Sequence, residues 1–172
     1  TTTAQQDNID VFITNQMKKQ GIVGLSIGIV KNGKVIKAKG YGQANIELDI
    51  PASEKTVYKI ASISKQFIAV GIMKLVQEDK LKVSDPITKF IKDAPAKWNS
   101  ITIRHLLNHT SGLPVEPPGF DGMKEQADSI YIKTAFTDSL AFPSGSKFEY
   151  SNFGYFILAD IIRVTSNQFF TT

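Results

Sequence analysis

The chain has 172 residues, of which 42% are hydrophobic and 21% are charged, and its formal net charge is +4. This length fits one domain or two small lobes that share a core, and the composition is that of a globular protein, which excludes wholesale disorder. The sequence contains no cysteine, so disulfides, thiolate-bound zinc, iron–sulfur clusters and a cysteine nucleophile are excluded. No run of 18 apolar residues occurs, so no membrane-spanning helix is predicted.

The positive charge comes almost entirely from lysines. Arg104 and Arg163 are the only arginines among the 20 cationic residues. Because bidentate readout of bases and phosphates prefers arginine, this pattern disfavours nucleic acid as a partner. It indicates instead solubility and attraction for anionic surfaces or substrates.

The N-terminal part of the chain predicts one helix and one β-hairpin. Asp7 is a candidate cap for a helix whose apolar residues recur at helical spacing. Over residues 23–30 large side chains alternate with small ones, which is typical of a strand. Asn32-Gly33 predicts a type I′ turn, because both central positions of that turn need a positive φ. The second strand is predicted over Val35 to Lys39, and the Gly-Tyr-Gly segment at 40–42 is expected to end it.

From about Ser62 onward the sequence predicts helices only. The run from Ser62 to Val76 is apolar nearly all round, so its helix is expected to be buried. Residues 114–122 predict a loop, and Pro143-Ser144-Gly145 predicts a turn. Further helices are expected to follow three capping positions: Ser84-Asp85-Pro86, Thr102 and a position near Asn152. A two-stranded hairpin is a marginal sheet, so it is expected to need neighbouring strands that the chain does not contain.

The segment Ser62-Ile63-Ser64-Lys65 has the S-x-x-K pattern. On a helix, residues i and i+3 share a face with β-carbons about 5–6 Å apart, so Lys65 can lie beside the Ser62 hydroxyl. A serine hydroxyl needs a neighbouring base to become a nucleophile. A helix N-terminus adds free N–H groups and the positive end of the helix dipole at the same place. The pattern also occurs by chance, and Ser62 alone would equally fit a helix cap.

Two further segments carry groups that can take part in chemistry. In Tyr150-Ser151-Asn152, the tyrosine hydroxyl can exchange a proton and the Asn152 amide can donate and accept. Taken alone, this segment is better explained by a packed tyrosine and a capping asparagine. His105 and His109 are four residues apart, which makes a metal site conceivable, but no acidic residue lies close by. A histidine that hydrogen-bonds the backbone and orders the turn at 110–112 is the favoured interpretation.

Together and in this order, these segments resemble the serine beta-lactamase and penicillin-binding-protein superfamily. The resemblance rests on the hairpin, the S-x-x-K block, His109-Thr110-Ser111-Gly112-Leu113 and Tyr150-Ser151-Asn152, and it covers about Asp7 to Asn167. The class C beta-lactamase-like branch, with its D-alanyl-D-alanine carboxypeptidases and esterases, is the most similar. The resemblance implies an α/β plus all-α fold of the beta-lactamase/transpeptidase type. Residues 1–58 would form the helix and hairpin of the α/β lobe, and residues 59–172 would form the helical lobe.

The resemblance also implies a serine hydrolase that acts through an acyl-enzyme on a beta-lactam, a D-alanyl peptide or an ester, with no metal or organic cofactor. Ser62 would be the nucleophile, Lys65 would shuttle its proton, and Tyr150 would act with Lys65 as general base and acid. Asn152 would bind the substrate amide, and the Ser62 backbone N–H would supply half of the oxyanion hole. Two more residues would be structural elements near the site: His109 and Gly112.

One departure from the superfamily pattern concerns the end of the chain. Superfamily members are considerably longer and carry a third motif, K-T-G or H-x-G, on a later strand, and no such element follows Asn152. The chain is therefore expected to be the N-terminal half of a member, with the fold present only in part. Its hairpin and its C-terminal apolar residues are expected to need cover from the missing C-terminal half or from another copy of the chain. The apolar residues in question are Ile157, Leu158, Ile161, Ile162, Phe169 and Phe170.

Two expectations remain open at this point. The alternative function is a non-catalytic binding or assembly module with the same fold. The absent third motif favours this alternative, whereas the intact Ser62, Lys65 and Tyr150 disfavour it. By resemblance the protein is expected in the periplasm or outside the cell, although the chain shows no signal peptide.

Overall fold

The computed structural model describes residues 8–116, 119, 121 and 128–167. The chain divides into two compact units, Thr1–Lys59 and Ile60–Thr172. In the described part of the chain, no helix is both long and apolar enough to cross a membrane.

The first unit contains one helix and a three-stranded antiparallel sheet. Helix α1 spans Asn8–Gln20, and the strands are β1 (Gly24–Lys31), β2 (Lys34–Asn45) and β3 (Ile50–Pro51), in the order β1-β2-β3. Asn32 and Gly33 have φ values of 52° and 73°, and Lys31 pairs with Lys34, which confirms the predicted two-residue turn. The proposed cap at Asp7 lies outside the described residues.

The prediction that β2 ends at the Gly-Tyr-Gly segment is wrong. The strand continues through it to Asn45 and pairs with β3, a strand that the sequence did not reveal. A Cβ on Gly40 would lie 2.1 Å from the Ala52 carbonyl oxygen, and one on Gly42, whose φ is +67°, would lie 2.0 Å from the Val23 carbonyl oxygen. These glycines therefore let neighbouring backbones approach closely, and they do not interrupt the strand.

An acidic side chain of α1 ties this helix to β2. Asp10 accepts hydrogen bonds from Lys37 and Lys39, both at 2.7 Å, and from the Tyr41 hydroxyl at 2.5 Å. The three donors lie at alternate positions and so share one face of the strand. Their hydrogen bonds hold the pKa of the Asp10 carboxyl well below its usual value.

The second unit is helical and is built around its last helix. The α-helices are α2 (Ser64–Gln77), α3 (Ile103–Leu107), α4 (Asp128–Thr134) and α5 (Asn152–Ser166). Short 3₁₀ turns occupy Ala61–Ile63, Ile87–Lys89 and Ala96–Trp98. Helix α5 packs against α2, α3 and α4. The sequence predicted α2, α3 and α5 but neither α4 nor the turn at Ala96–Trp98.

The core of the second unit corrects two expectations about burial. Ile157, Leu158, Ile161 and Ile162 were expected to need an external surface, but they are buried in this unit because α5 is its central helix. Phe169 and Phe170 lie outside the described residues. Conversely, α2 was expected to be buried all round. Ile72 and Leu75 are buried, but Phe67, Val70 and Met73 are 55%, 67% and 50% exposed, because α5 covers only one side of the helix.

The helix predicted after Ser84-Asp85-Pro86 is reduced to one 3₁₀ turn. Pro86 forms an isolated antiparallel bridge with Thr102, and the Ile87 N–H donates to the Ile101 carbonyl at 2.9 Å. This pairing gives the first backbone donor of the turn a partner outside the turn. The cap at Thr102 is confirmed: its side chain accepts a hydrogen bond from the His105 N–H at the start of α3.

Candidate active site

Ser62 lies in the 3₁₀ turn that leads directly into α2. The preceding residue, Ala61, has a φ of 47°, in the left-handed region that a residue with a Cβ enters at an energetic cost. The α-helix proper begins at Ser64, two residues after Ser62, and Lys65 lies in its first turn. Strained backbone of this kind clusters at functional sites, so this turn is a candidate for one.

Two side chains donate hydrogen bonds to the Ser62 hydroxyl. Ser62 Oγ accepts hydrogen bonds from Lys65 Nζ at 3.3 Å and from the Tyr150 hydroxyl at 2.9 Å. The predicted i,i+3 contact is thus observed, and the predicted closeness of Tyr150 is observed too, although 88 residues separate it from Ser62. The Tyr150 side chain is 41% exposed, so a ligand can reach the cluster from solvent.

Asn152 contacts the same cluster through the oxygen of its side-chain amide. Asn152 Oδ1 accepts a hydrogen bond from Lys65 Nζ at 2.6 Å, and Asn152 Nδ2 donates to Glu116 Oε1. The cap of α5 is Ser151, whose hydroxyl accepts from the Gly154 N–H at 3.0 Å. The alternative reading of Asn152 as the helix cap is therefore wrong, and its amide is directed to the site.

The imidazole ring of His109 packs against Tyr150. The His109 ring stacks on the Tyr150 ring with centroids 4.5 Å apart and lies 5.1 Å from the Tyr155 ring. Its Nδ1 accepts a hydrogen bond from the Ser151 N–H at 3.1 Å. Burial, and secondarily the charge of Lys65, lower the pKa of His109, which favours the neutral imidazole that such an acceptor requires.

Gly112 and its neighbours connect the histidine segment to the segment that leads to Tyr150. Gly112 has a φ of +79°, and a Cβ there would lie 2.1 Å from the Phe142 carbonyl oxygen. The Ala141 N–H donates to the Gly112 carbonyl at 2.8 Å, and the Glu149 N–H donates to the His109 carbonyl at 2.8 Å. Backbone hydrogen bonds therefore hold the two segments next to each other, and this fixes the position of Tyr150.

No metal site is found in the part of the chain that the structure describes, because no three potential ligands come together there. His105 and His109 do not share a helix, since α3 ends at Leu107. The His105 Nδ1 instead accepts a hydrogen bond from the Thr102 N–H at 3.2 Å. Both histidines thus accept hydrogen bonds from backbone N–H groups.

The electrostatics of the cluster favour proton transfer. Hydrogen bonds with Lys65 and with Ser62 lower the pKa of Tyr150, while the Glu116 carboxylate acts in the opposite direction. The Lys65 ammonium also lies 4.8 Å from the centre of the Tyr150 ring. A lowered pKa makes the deprotonated form of Tyr150 easier to reach, and a tyrosinate in contact with a serine hydroxyl can take the serine proton.

Sequence reasoning missed Glu116. This residue lies in the Pro-rich segment after α3, far from both motifs along the chain, and no spacing rule relates it to Asn152. Its side-chain contact with Asn152 appears only in the folded structure.

Comparison with known proteins identifies the family. The sequence model of the family described as Beta-lactamase matches residues 9–172. "Protein flp" of Staphylococcus aureus (strain COL) is 36% identical over 176 residues, and the match covers 99% of this chain and 35% of flp.

Two solved structures are similar as well. The octameric penicillin-binding protein homologue from Pyrococcus abyssi is 36% identical, with a TM-score of 0.75 over 94% of this chain and 39% of that chain. The D-amino acid amidase from Ochrobactrum anthropi SV3 is 28% identical, with a TM-score of 0.78 over 91% and 44%. The chain thus spans about a third of the length of the curated relatives that it matches first. The matched family model and these similarities show that the chain belongs to the beta-lactamase family and has part of its fold.

Proposed function

We propose that the protein is a serine hydrolase that forms an acyl-enzyme on Ser62 with a beta-lactam, a D-alanyl peptide or an ester. The observation that carries this proposal is the position of the Ser62 hydroxyl between Lys65 Nζ and the Tyr150 hydroxyl. Membership of the beta-lactamase family and the similarity to an amidase support a hydrolase. The same geometry has no evident use in a module that only binds.

In the proposed acylation, Ser62 Oγ attacks the carbonyl carbon of the substrate. Its proton passes to the deprotonated Tyr150 oxygen, with Lys65 as the neighbouring donor and acceptor. Collapse of the tetrahedral intermediate breaks the bond to the leaving nitrogen or oxygen, which receives that proton. Water then attacks the ester on Ser62, restores the serine hydroxyl and releases the acid.

Two further groups would stabilise the reacting substrate. The Ser62 N–H lies at the start of a helical segment, where backbone donors lack intrahelical partners, and would bind the developing oxyanion. The Asn152 amide would bind the substrate amide on the acyl side. Both groups would act through fixed hydrogen bonds, which is the way in which a preorganised site lowers a barrier.

The proposal is tested by labelling the protein with a fluorescent penicillin and by following hydrolysis of a 4-nitrophenyl ester. We expect covalent label and ester hydrolysis with the wild type, and neither with Ser62→Ala. Ser64→Ala is the matched control, since it removes a serine hydroxyl two residues away at the first position of α2 and should leave both signals intact. A wild type without label and without hydrolysis would instead support the non-catalytic binding module.

We also propose that further protein covers the exposed apolar faces. In the second unit, Phe67, Val70 and Met73 of α2 are at least half exposed, and in the first unit Val30, Val35 and Ile36 of the hairpin are 58–67% exposed. Patches of this kind usually mark contacts with other protein. The cover would be another segment of the family fold or a second copy of the chain, and size-exclusion chromatography with light scattering distinguishes the two.

We further propose that the enzyme works in the periplasm or outside the cell. The support is the family alone. Fractionation of the source cells, followed by detection of the penicillin-labelled band, tests this location.

A further inference from the structure

Tyr155 of α5 is buried next to the active site, but the proposed acylation does not use it. It is 9% exposed, and its hydroxyl donates a hydrogen bond at 3.1 Å to the carbonyl of Leu107, the last residue of α3. Its ring packs against the His109 ring with centroids 5.1 Å apart. Contacts with two other residues of the chain therefore fix the position of this ring.

The fixed ring lies close to the Lys65 ammonium. Lys65 Nζ is 5.7 Å from the centre of the Tyr155 ring and 4.8 Å from the centre of the Tyr150 ring. Both distances fall within the roughly 6 Å over which the face of an aromatic ring attracts a cation. Tyr155 therefore attracts the ammonium, and its ring also occupies space into which the lysine side chain would otherwise move.

Lys65 needs this support because its contact with the nucleophile is long. Its Nζ donates to Asn152 Oδ1 at 2.6 Å but to Ser62 Oγ at 3.3 Å. A distance of about 3.6 Å no longer makes a hydrogen bond, so a shift of the ammonium by a few tenths of an ångström would separate it from Ser62. The flexible four-carbon stem of a lysine permits such a shift unless neighbouring groups prevent it.

The hydroxyl of Tyr155 is not a second acid–base group. Burial raises the pKa of Tyr155, and the charge of an ionised Tyr150 acts in the same direction. The hydroxyl therefore keeps its proton, which it donates to the Leu107 carbonyl. It anchors the ring, and the ring is the part of Tyr155 that acts on Lys65.

We propose that Tyr155 is a positioning residue whose ring holds the Lys65 ammonium within hydrogen-bond distance of Ser62. This inference rests on the proposed hydrolase function, in which Lys65 assists the transfer of the serine proton. The ring also acts on Tyr150 through Lys65. The hydrogen bond with Lys65 is the largest cause of the lowered pKa of Tyr150, and the Glu116 carboxylate acts against it. Removal of the ring should therefore slow acylation and raise the pKa of Tyr150.

The test removes the ring and compares this change with two others. Tyr155→Leu removes the ring, whereas Tyr155→Phe keeps the ring and removes only the hydroxyl. Tyr131→Leu is the matched control for the loss of a buried tyrosine. Tyr131 is 5% exposed, its hydroxyl donates to the Asp121 carbonyl at 3.1 Å, and its ring packs against Phe156.

Two quantities are measured as a function of pH, at a temperature at which every variant is folded. The first is the second-order rate of acylation by a chromogenic beta-lactam. The second is the ionisation of Tyr150, followed by ultraviolet absorbance as the difference from the same protein carrying Tyr150→Phe. The second quantity does not depend on turnover. If Tyr155→Leu does not fold, Tyr155→Met replaces the ring by an unbranched apolar side chain and is judged by the same criteria.

We expect Tyr155→Leu to be acylated roughly 3- to 30-fold more slowly than the wild type at pH 7, the range for losing a cation–π contact. Its acylation rate and the ionisation of Tyr150 should both rise at a higher pH than in the wild type, because Tyr150 loses a neighbouring cation. Tyr155→Phe should keep the wild-type pH profile, with a rate within about threefold. Tyr131→Leu should lower the thermal midpoint and leave the pH profile unchanged.

Three results would overturn the inference. The first is a pH profile of Tyr155→Leu that coincides with the wild type, whatever its rate, since a merely structural role would give this result. The second is an equal change in Tyr155→Phe, which would assign the effect to the hydroxyl. The third is the same shift in Tyr131→Leu, which would assign it to a general loosening of the fold. A wild type that is not acylated would overturn the proposed function, and the ionisation of Tyr150 would then still decide whether Tyr155 positions Lys65.

Discussion

Replacing Tyr150 with phenylalanine separates the proposed chemistry from the fold. The phenylalanine ring can keep the stacking on His109, which has a centroid distance of 4.5 Å. The substitution removes the hydroxyl that donates to Ser62 Oγ at 2.9 Å. On a side chain that is 41% exposed, one lost hydrogen bond should lower the free energy of unfolding by about 0.5–1.5 kcal/mol. Loss of a general acid–base group should slow acylation about 10²- to 10⁴-fold.

The assay is the second-order rate of acylation by a chromogenic beta-lactam as a function of pH, together with thermal unfolding. The wild-type rate should rise with pH as Tyr150 loses its proton, and because the pKa of Tyr150 is lowered, this rise should begin below pH 10. Tyr150→Phe should lose this rise. Tyr155→Phe is the control: it loses a hydroxyl that donates to the Leu107 carbonyl at 3.1 Å, so it should unfold more easily but acylate normally. Acylation of Tyr150→Phe within about threefold of the wild type at every pH would refute the assignment.

Three further predictions concern the framework of the two units. Gly112→Ala should lower the free energy of unfolding by roughly 1–3 kcal/mol, because it forces a Cβ into a positive-φ position and against the Phe142 carbonyl; an unchanged urea midpoint would contradict this. Because the pKa of His109 is lowered in the fold, its contribution to stability should be complete above about pH 6.5 and fall as the pH drops through the lowered pKa. His109→Asn, which tolerates the left-handed backbone, should therefore show a flatter dependence of the thermal midpoint on acid pH, and an identical dependence would contradict the reasoning. Asp10→Asn should destabilise the first unit at pH 7 but less at very low pH. Because the pKa of Asp10 is lowered, its contribution to stability is present above about pH 4 and is lost as the carboxyl is protonated. Hydrogen exchange of β2 amides measures this, and an equal loss of protection relative to the wild type at both pH values would argue against it.

The features that the sequence predicted correctly depend on short-range rules. The turn at Asn32-Gly33 follows from the φ preference of two adjacent residues, and the cap at Thr102 follows from one side chain and the next turn of backbone. The contact between Ser62 and Lys65 follows from helical spacing. The contact between Tyr150 and Ser62, which are 88 positions apart in the sequence, was expected only from the order of the family motifs, because no local rule predicts it.

The features that the sequence did not predict depend on which segments meet in space. Gly40 lies within β2, where the absence of a side chain leaves room for the Ala52 backbone. In the sequence alone, a glycine is equally compatible with such a close approach and with the end of a strand. The uniformly apolar pattern of α2 did not reveal that α5 covers only one side of it. Glu116 was missed because its importance lies in a contact with Asn152 that is remote in sequence.

The most direct test of the central claim locates the covalent bond. The protein is incubated with an excess of a beta-lactam, its intact mass is measured, and the modified peptide is mapped. Because opening of the lactam ring expels no atoms, we predict a gain equal to the full mass of the beta-lactam, on Ser62 and on no other residue, and no gain in Ser62→Ala. A gain that maps to another residue, or that persists in Ser62→Ala, would contradict the account.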